Sequence, residues 1–265
     1  MHGSFNALAN LLANDWRTGK EQARYGAAQF DSHLVSTNNK QENAPEPPTR
    51  LVKIPSGALS LDGELKVPAG AQGVVIFAHG SGSSRHSPRN QYVARILRES
   101  GKATLLFDLL TEEEERVDIA TRRLRFDIPM LARRLVDATR WLLDQPAARG
   151  WRVGYFGAST GGGAALVAAA DLGGTIDAVV SRGGRPDLAG EALPRVTSPT
   201  LLIVGEWDDV VIRLNEQALA QLRCEKELAI VPQATHLFEE AGALEKVAKL
   251  AAGWFRRHLK RRNHA

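Results

Sequence analysis

One short segment, residues 152–166, restricts the possible folds of this chain more than any other. It begins as an apolar run typical of a buried strand, passes through the pattern Gly157-x-Ser159-x-Gly161, and ends as an alanine-rich stretch typical of a helix. A turn this sharp requires glycine on both sides of the serine, because a Cβ atom there would collide with neighbouring backbone. The segment therefore predicts a strand–turn–helix unit that exposes a serine hydroxyl at the carboxyl end of a sheet.

The apolar runs along the rest of the chain predict the sheet that holds this strand. Two runs flank Ser56-Gly57, which indicates an antiparallel hairpin, and six continuous Val/Ile/Leu runs alternate with helical patterns, as in parallel strands buried on both faces. The predicted strands are Leu51–Ile54, Leu59–Val67, Gly73–Ala78, Ala103–Leu109, Val153–Phe156, Ile176–Val180, Thr200–Val204 and Leu228–Val231. This order predicts an α/β fold: a mostly parallel twisted sheet of about eight strands, with helices on both faces and ligands at the carboxyl ends of the strands.

Helical patterns fill the connections between these strands. Ser87 and Pro88 form an N-cap and first-turn pair that opens a helix ending at Ser100. Further helices are predicted at Asp127–Leu143, Thr160–Asp171, Ile212–Leu222 and Glu239–Leu259. The highly charged segment 112–125 is predicted as a solvated helix, with a short mobile flap as the alternative. The remaining connections are short, so we expect no large cap domain.

Composition indicates the cellular compartment and whether the chain binds membranes. The 43% hydrophobic and 24% charged residues are ordinary for a globular protein, and no apolar run approaches the roughly 18 residues of a membrane span. The single Cys224 excludes an internal disulfide and a cysteine-based metal site. No basic segment of the secretory type precedes the first apolar run. We therefore expect a cytoplasmic protein that does not bind membranes.

Two terminal segments stand apart from the domain. Residues 1–48 are rich in Asn, Gln and Ala and end in Pro45-Glu-Pro-Pro48, so we predict a partly disordered N-terminal extension with a Pro-rich linker, followed by one domain at residues 49–265. The basic run 256–262 has no accompanying aromatic platform. We interpret it as the solvated end of a helix and expect no nucleic-acid binding.

A serine nucleophile at neutral pH requires a base, which in this architecture follows it in the chain. His236 comes directly after the last strand-like run, in a loop at the carboxyl end of a strand. The other two later histidines, His258 and His264, lie in the basic terminal segment. His236 is therefore the predicted base, with a loop histidine of structural role as the alternative.

The base needs an acid that orients it, and this acid should lie between serine and histidine in the chain. The run 200–204 ends in Gly205 and is followed by three carboxylates, Glu206, Asp208 and Asp209. The spacing from Gly205 favours Asp208, and Asp209 is the alternative.

Acyl chemistry also requires two backbone donors for the oxyanion. One is predicted to be the N–H of Thr160, which follows the nucleophile. The other should come from the loop after the third strand, where Ser81 is preferred and Gly82 is the alternative. His79, at the start of that loop, is predicted to brace it rather than to titrate in catalysis.

Together these segments resemble the α/β-hydrolase fold of the dienelactone-hydrolase-like group, and most closely the hydrolase halves that some bacteria fuse to phosphoribosyltransferase domains. The resemblance runs from Leu51 to the C-terminus. Its segments are 76–90, 104–115, 157–161, 181–187, 202–208 and 234–240. It implies Ser159, Asp208 and His236 as the catalytic triad. Two features depart from it: dienelactone hydrolases proper use a cysteine where this chain has Ser159, and the phosphate-binding loop of a phosphoribosyltransferase does not occur in the sequence.

Four arginines flank the predicted strand ends on the side of Ser159: Arg85, Arg89, Arg182 and Arg185. A guanidinium binds carboxylate and phosphate through parallel N–H bonds. One or two of these side chains, with Arg85 and Arg182 as the first candidates, are therefore predicted to bind an anionic substrate group. The alternative is that all four are surface or loop-bracing residues.

The sequence thus predicts a serine hydrolase that acts on a small-molecule ester, thioester or lactone through an acyl-enzyme, with neither cofactor nor metal. An acyltransferase would use the same triad with an alcohol or amine in place of water. A non-catalytic α/β-hydrolase that serves as a binding module is the remaining alternative. The oligomeric state stays open.

Overall fold

The computed structural model describes residues 46–260, and eight strands in that range form one sheet. They are β1 (Arg50–Ser56), β2 (Leu59–Lys66), β3 (Gly73–Ala78), β4 (Ala103–Phe107), β5 (Arg152–Ala158), β6 (Ile176–Arg182), β7 (Thr200–Gly205) and β8 (Lys226–Val231). Each overlaps a predicted strand. The predicted N-terminal extension lies outside the described residues apart from its last three, so its structure stays a prediction.

The strands lie in the order β1-β2-β4-β3-β5-β6-β7-β8. The pairs β1–β2 and β2–β4 are antiparallel, and the other neighbours are parallel. The predicted mostly parallel α/β sheet is confirmed. Strands β3, β4 and β7 are buried at every residue, which explains why their sequences are continuous apolar runs and not alternating ones.

Residues 46–260 contain six α-helices: α1 (Pro88–Glu99), α2 (Glu112–Thr121), α3 (Ile128–Leu143), α4 (Thr160–Leu172), α5 (Asp209–Gln221) and α6 (Ala243–His258). All of them except α2 pack on the sheet and cover its two faces. Successive residues of β3 show the two layers. Val74 and Ile76 pack in the core that includes α3 and α4, whereas Val75 and Phe77 pack in the core that includes α1 and α6. Within residues 46–260, no helix has the length and apolar character needed to cross a membrane.

Two helices begin at different residues from those predicted. The helix predicted from Glu239 begins at Ala243, because Gly242 with φ of 78° interrupts the chain before it. The four residues 239–242 instead belong to the loop that carries His236. The helix predicted from Ile212 begins at Asp209, so its N-terminus follows directly on Asp208.

The charged segment after β4 is helical, as predicted. The Thr111 side chain accepts a hydrogen bond from the Glu114 N–H, and the Glu114 side chain accepts one from the Thr111 N–H. This reciprocal pair satisfies donors that the first turn of α2 would otherwise leave free. Glu114 also binds Arg134 of α3, with oxygen–nitrogen distances of 2.6 and 2.7 Å, which ties α2 to the domain.

Candidate active site

Ser159 lies at the junction of β5 and α4 with φ of 51° and ψ of −123°. This backbone conformation is sparsely populated, and it costs a residue other than glycine about 1–3 kcal/mol. Three backbone hydrogen bonds maintain it: the Ser159 N–H donates to the Arg182 carbonyl at 3.2 Å, and the Ser159 carbonyl accepts from Gly162 at 2.9 Å and Arg185 at 3.0 Å. The serine is thus fixed between β6 and the segment that follows it.

The glycines on either side of Ser159 have no room for a side chain. A Cβ at Gly157 would lie 2.6 Å from the Gly161 carbonyl oxygen, and a Cβ at Gly161 would lie 2.2 Å from the Ala78 carbonyl oxygen. The second contact joins the start of α4 to the end of β3. The glycines are therefore required for helix α4 to pack against the neighbouring strand, and not only for the turn.

His236 and Asp208 meet at the carboxyl ends of β8 and β7. The His236 Nδ1 atom lies 2.6 Å from the Asp208 Oδ2 atom, and the Asp208 side chain is 13% exposed. A hydrogen bond at Nδ1 leaves Nε2 available to accept a proton. Of the other predicted acids, Glu206 is occupied elsewhere, since its carboxylate accepts the Gln233 N–H at 2.8 Å.

His236 and Ser159 both adjoin the segment 182–183. Gly183 follows Arg182, whose carbonyl binds the Ser159 N–H, and a Cβ at Gly183 would stand 3.1 Å from the His236 carbonyl oxygen and 3.5 Å from its Cε1 atom. Within residues 46–260 the Ser159 hydroxyl forms no hydrogen bond. The hydrogen bond between His236 and Asp208 is therefore formed, whereas none joins the Ser159 hydroxyl to His236.

The predicted oxyanion loop packs directly on Ser159. A Cβ at Gly80 would lie 3.1 Å from the Ser159 Cβ, and the hydroxyls of Ser81 and Thr160 lie 3.0 Å apart. The structure thus brings together the two residues whose N–H groups are the predicted donors.

His79 stabilises this loop through both of its ring nitrogens. Its Nε2 atom accepts the Leu109 N–H at 2.9 Å, which leaves the proton on Nδ1 to be donated to the Gly80 carbonyl at 3.0 Å. Burial lowers the pKa of His79 and so favours this neutral form. The bond to the Gly80 carbonyl fixes the peptide plane that carries the Ser81 N–H.

The four flanking arginines have different surroundings. Arg85 pairs with Asp108, Arg89 with Glu239 at 2.9 Å, and Arg185 with both carboxylate oxygens of Asp187 at 2.7 and 2.8 Å. Arg182 is buried, and its hydrogen bond within residues 46–260 goes to Asn90 and not to a carboxylate. Three of the four are therefore already neutralised by the protein.

Sequence reasoning missed Phe238 and Gln233, which shape the histidine loop. Phe238 is buried with φ of 56°, and its ring lies 5.8 Å from the Arg182 guanidinium carbon. Gln233 also has positive φ, at 57°. The usual signal for such a turn is glycine or asparagine, and neither stands at these positions.

Among residues 46–260, no group of three or more His, Cys, Asp or Glu side chains is placed to hold a metal ion. The site that these residues do form contains a strained serine, a histidine–carboxylate pair and a crowded loop rich in small residues. This arrangement can support nucleophilic attack and stabilise an oxyanion.

Both the sequence and the fold of this chain match those of known proteins. Residues 61–260 match the sequence profile of the dienelactone hydrolase family. A dienelactone hydrolase from Anabaena variabilis ATCC 29413 is 60% identical, with a TM-score of 0.80 over 82% of this chain and 100% of that chain. Est1E from Butyrivibrio proteoclasticus is 16% identical, with a TM-score of 0.66 over 78% of this chain and 98% of its own, and it shows the fold alone.

The curated relatives carry a different name. Two proteins of Mycobacterium tuberculosis, strains CDC 1551 / Oshkosh and H37Rv, are each named "Putative phosphoribosyl transferase" and are 58% identical to this chain over 218 residues. The match covers 82% of this chain and 48% of each relative. The chain therefore spans about half the length of these relatives.

Proposed function

The chain belongs to the dienelactone hydrolase family, and we propose that it is a serine hydrolase that cleaves a carboxylic ester, thioester or lactone through an acyl-enzyme on Ser159. The observation that carries the proposal is the 2.6 Å contact of His236 with Asp208 beside a serine held at φ of 51°. A strained serine next to a histidine–carboxylate pair is the arrangement that acyl transfer requires.

In the proposed reaction, the Ser159 hydroxyl attacks the substrate carbonyl while His236 Nε2 takes its proton. Asp208 stabilises the resulting imidazolium. The oxyanion accepts hydrogen bonds from the backbone N–H groups of Thr160 and Ser81. The C–O or C–S bond then breaks, and the leaving group takes the proton from His236. Water attacks the acyl-enzyme by the same route and releases the acid and the free serine.

The name of the Mycobacterium tuberculosis relatives states a different reaction class. Those proteins are about twice as long as the part that this chain matches. The hydrolase profile covers residues 61–260, which include the serine, the acid and the histidine. We therefore propose ester hydrolysis, and not phosphoribosyl transfer, for this part of the sequence.

A fluorophosphonate probe tests the proposal, because it reacts only with an activated serine. We expect mass spectrometry to locate the adduct on Ser159 and to find none in Ser159→Ala or in His236→Ala. His258→Ala is the matched histidine control and is expected to retain labelling, since His258 lies in α6, away from the serine. A folded wild-type protein that remains unlabelled would identify a binding module instead. Product analysis with an added alcohol or amine acceptor then separates hydrolysis from acyl transfer.

A further inference from the structure

Helix α2 buries a carboxylate where a surface helix normally buries an apolar stripe. Asp118 is 1% exposed and is the one buried residue of α2, whereas Val117 and Ile119 are 57% and 67% exposed. Among the six helices of residues 46–260, α2 is also the one that does not pack on the sheet. Polar contacts, and not an apolar face, therefore hold this helix in place.

Asp118 binds the turn that follows α2, at residues 122–126. Its Oδ1 atom accepts the Leu124 N–H at 2.7 Å and the Arg125 N–H at 3.2 Å, and its Oδ2 atom accepts the Arg125 Nε–H. The Arg125 Nη2 atom also donates to the Asp118 carbonyl at 3.2 Å. A buried carboxylate is stable only when it is paired and hydrogen-bonded, and here the partner is one arginine. Asp118 thus fixes both the backbone and the guanidinium of Arg125.

Arg125 lies against the predicted oxyanion loop. Its carbonyl accepts the Ser81 hydroxyl in a long hydrogen bond of 3.5 Å, and a Cβ at Gly82 would lie 3.3 Å from its Nη1 atom. The Ser81 hydroxyl also lies 3.0 Å from that of Thr160, which donates to Ser81 when Ser81 donates to Arg125. Ser81 is therefore held between the turn after α2 and the start of α4.

A second polar path from α2 ends at the same loop. Glu114 binds the guanidinium of Arg134, which also donates to the Leu109 carbonyl. The Leu109 N–H donates to His79, whose other ring nitrogen binds the Gly80 carbonyl. The two inward-facing carboxylates of α2 therefore both connect to the loop that carries a proposed oxyanion donor.

We propose that α2 and the turn after it position the oxyanion loop, with Asp118 as the positioning residue that places the Ser81 N–H through Arg125. The inference rests on the proposed ester hydrolase and assigns to it a residue outside the triad and the oxyanion donors. A donor of this kind stabilises the transition state only when it is aimed at the oxygen that gains charge. Loosening the loop should therefore reduce kcat more than it weakens substrate binding.

Asp118→Asn tests the proposal, because the amide keeps the shape of the side chain but cannot accept with its NH2 group. We expect kcat for a chromogenic ester to fall by about 10- to 100-fold with little change in KM, as for a misplaced group that acts only in the transition state. A trifluoromethyl ketone places an oxyanion in the same position when Ser159 adds to it, so its affinity should fall by the same factor. Wild-type kcat in folded Asp118→Asn would overturn the proposal.

Asp177→Asn is the matched control for loss of a buried ion pair. The Asp177 side chain is 11% exposed, binds Arg152 and accepts the Val153 N–H at 2.9 Å. It lies at the amino end of β6, whereas Ser159 lies at the carboxyl end of β5. Both variants should lower the Tm, but only Asp118→Asn should lower kcat and the inhibitor affinity. Equal losses of kcat in the two variants would mean that kcat follows general stability, and would contradict the positioning role.

Arg125→Lys is the second variant, for the case in which Asp118→Asn does not fold. Lysine keeps the charge beside Asp118 but has a single nitrogen, which cannot bind Asp118 and also lie against Gly82. We expect the same pattern at smaller size: kcat and inhibitor affinity reduced severalfold together, with little change in KM. Wild-type values in folded Arg125→Lys would overturn the proposal.

Hydrogen–deuterium exchange separates this proposal from the hydrolase proposal. Peptides that cover residues 79–84 are expected to exchange faster in Asp118→Asn than in the wild-type protein, and at the wild-type rate in Asp177→Asn. Unchanged protection of these peptides in Asp118→Asn contradicts the inference. If the wild-type protein hydrolyses no ester, the proposed function fails, while the exchange rates still report whether Asp118 holds the loop.

Discussion

The two sides of the candidate active site differ in what their side chains add to a crowded backbone. On the side of the proposed nucleophile Ser159, here called the nucleophile side (residues 78–81 and 157–162), backbone packs on backbone, with no space for a Cβ at Gly157 or Gly161. The histidine side, residues 205–208 and 233–240, is also crowded at Gly205, where a Cβ would lie 2.3 Å from the Ala234 carbonyl oxygen. Polar side chains add to it there: Asp208 binds His236, and Glu240 binds both the N–H and the hydroxyl of Thr235. A substitution at a crowded glycine should therefore act abruptly, and a substitution of a polar side chain on the histidine side gradually.

The largest effect is expected from Gly161→Ala. Its Cβ would lie 2.2 Å from the Ala78 carbonyl oxygen and 2.6 Å from that of His79, so β3 and α4 would have to separate. We expect a loss of about 4 kcal/mol or more in the free energy of unfolding, the range of severe backbone conflicts, and loss of labelling at Ser159. Urea denaturation followed by circular dichroism measures it.

Gly253→Ala is the matched control for this substitution. Gly253 lies inside α6, and a Cβ there meets nothing within 4 Å. Alanine should stabilise the helix by about 0.5–1 kcal/mol. Equal stabilities for the two variants would show that the nucleophile side is not held by crowding.

The same comparison explains which parts of the fold and of the candidate site could be predicted from the sequence. Strands β3 to β7 could be predicted because burial on both faces makes them largely apolar runs, whereas the edge strand β8, with one buried residue, was predicted from the short apolar run 228–231. The serine turn could be predicted because crowding restricts Gly157 and Gly161 to one residue type. The loop of His236 was located, but its conformation was not, since Phe238 and Gln233 adopt positive φ without glycine. The isolation of Arg182 could not be predicted either, because a missing partner is visible only when every element around it is in place.

Asp208→Asn probes the histidine side at its closest contact. The amide keeps the shape of the carboxylate but cannot stabilise an imidazolium, and its NH2 group favours the wrong tautomer of His236. On the proposed mechanism, kcat should fall by about 10³- to 10⁴-fold with the fold retained. Steady-state kinetics with a chromogenic ester and circular dichroism measure the two quantities.

Asp209→Asn is the control for that substitution, since Asp209 was the alternative acid and begins α5 beside Asp208. It removes the same charge one residue away and should change kcat by no more than a few-fold. A larger loss in Asp209→Asn than in Asp208→Asn would transfer the orienting role to Asp209 and refute the assignment.

Thr235→Val should have a smaller effect on the same side. It preserves the shape of the side chain but removes the hydroxyl that donates to Glu240 at 2.6 Å, while the Thr235 N–H still binds that carboxylate at 3.1 Å. A hydrogen bond to a charged group at a solvated position contributes on the order of 1 kcal/mol, so kcat should fall by up to about tenfold. Thr235→Ser restores the hydroxyl and should restore kcat. Failure of serine to do so would show that the loop does not depend on this bond.

The smallest expected effect is on the nucleophile side, where the two hydrogen bonds of His79 supplement the crowding. Burial outweighs the nearby carboxylates Asp108 and Glu115 and lowers the pKa of His79 below its ordinary value of 6.5. The unfolded chain therefore binds a proton there before the folded chain does, so the free energy of unfolding should decline as the pH falls through about 6.5. His79→Gln cannot titrate, so its unfolding free energy should vary less between pH 7.5 and pH 5.

His258 complicates that measurement, because burial also lowers its pKa. Both proteins are therefore compared in a His258→Gln background by urea denaturation across the pH range, so that the difference in slope belongs to His79. Equal slopes would mean that the His79 contacts with Leu109 and Gly80 do not depend on the neutral ring. The nucleophile side would then be held by backbone crowding without help from a titrating group, and its contrast with the histidine side would be sharper than the structure suggests.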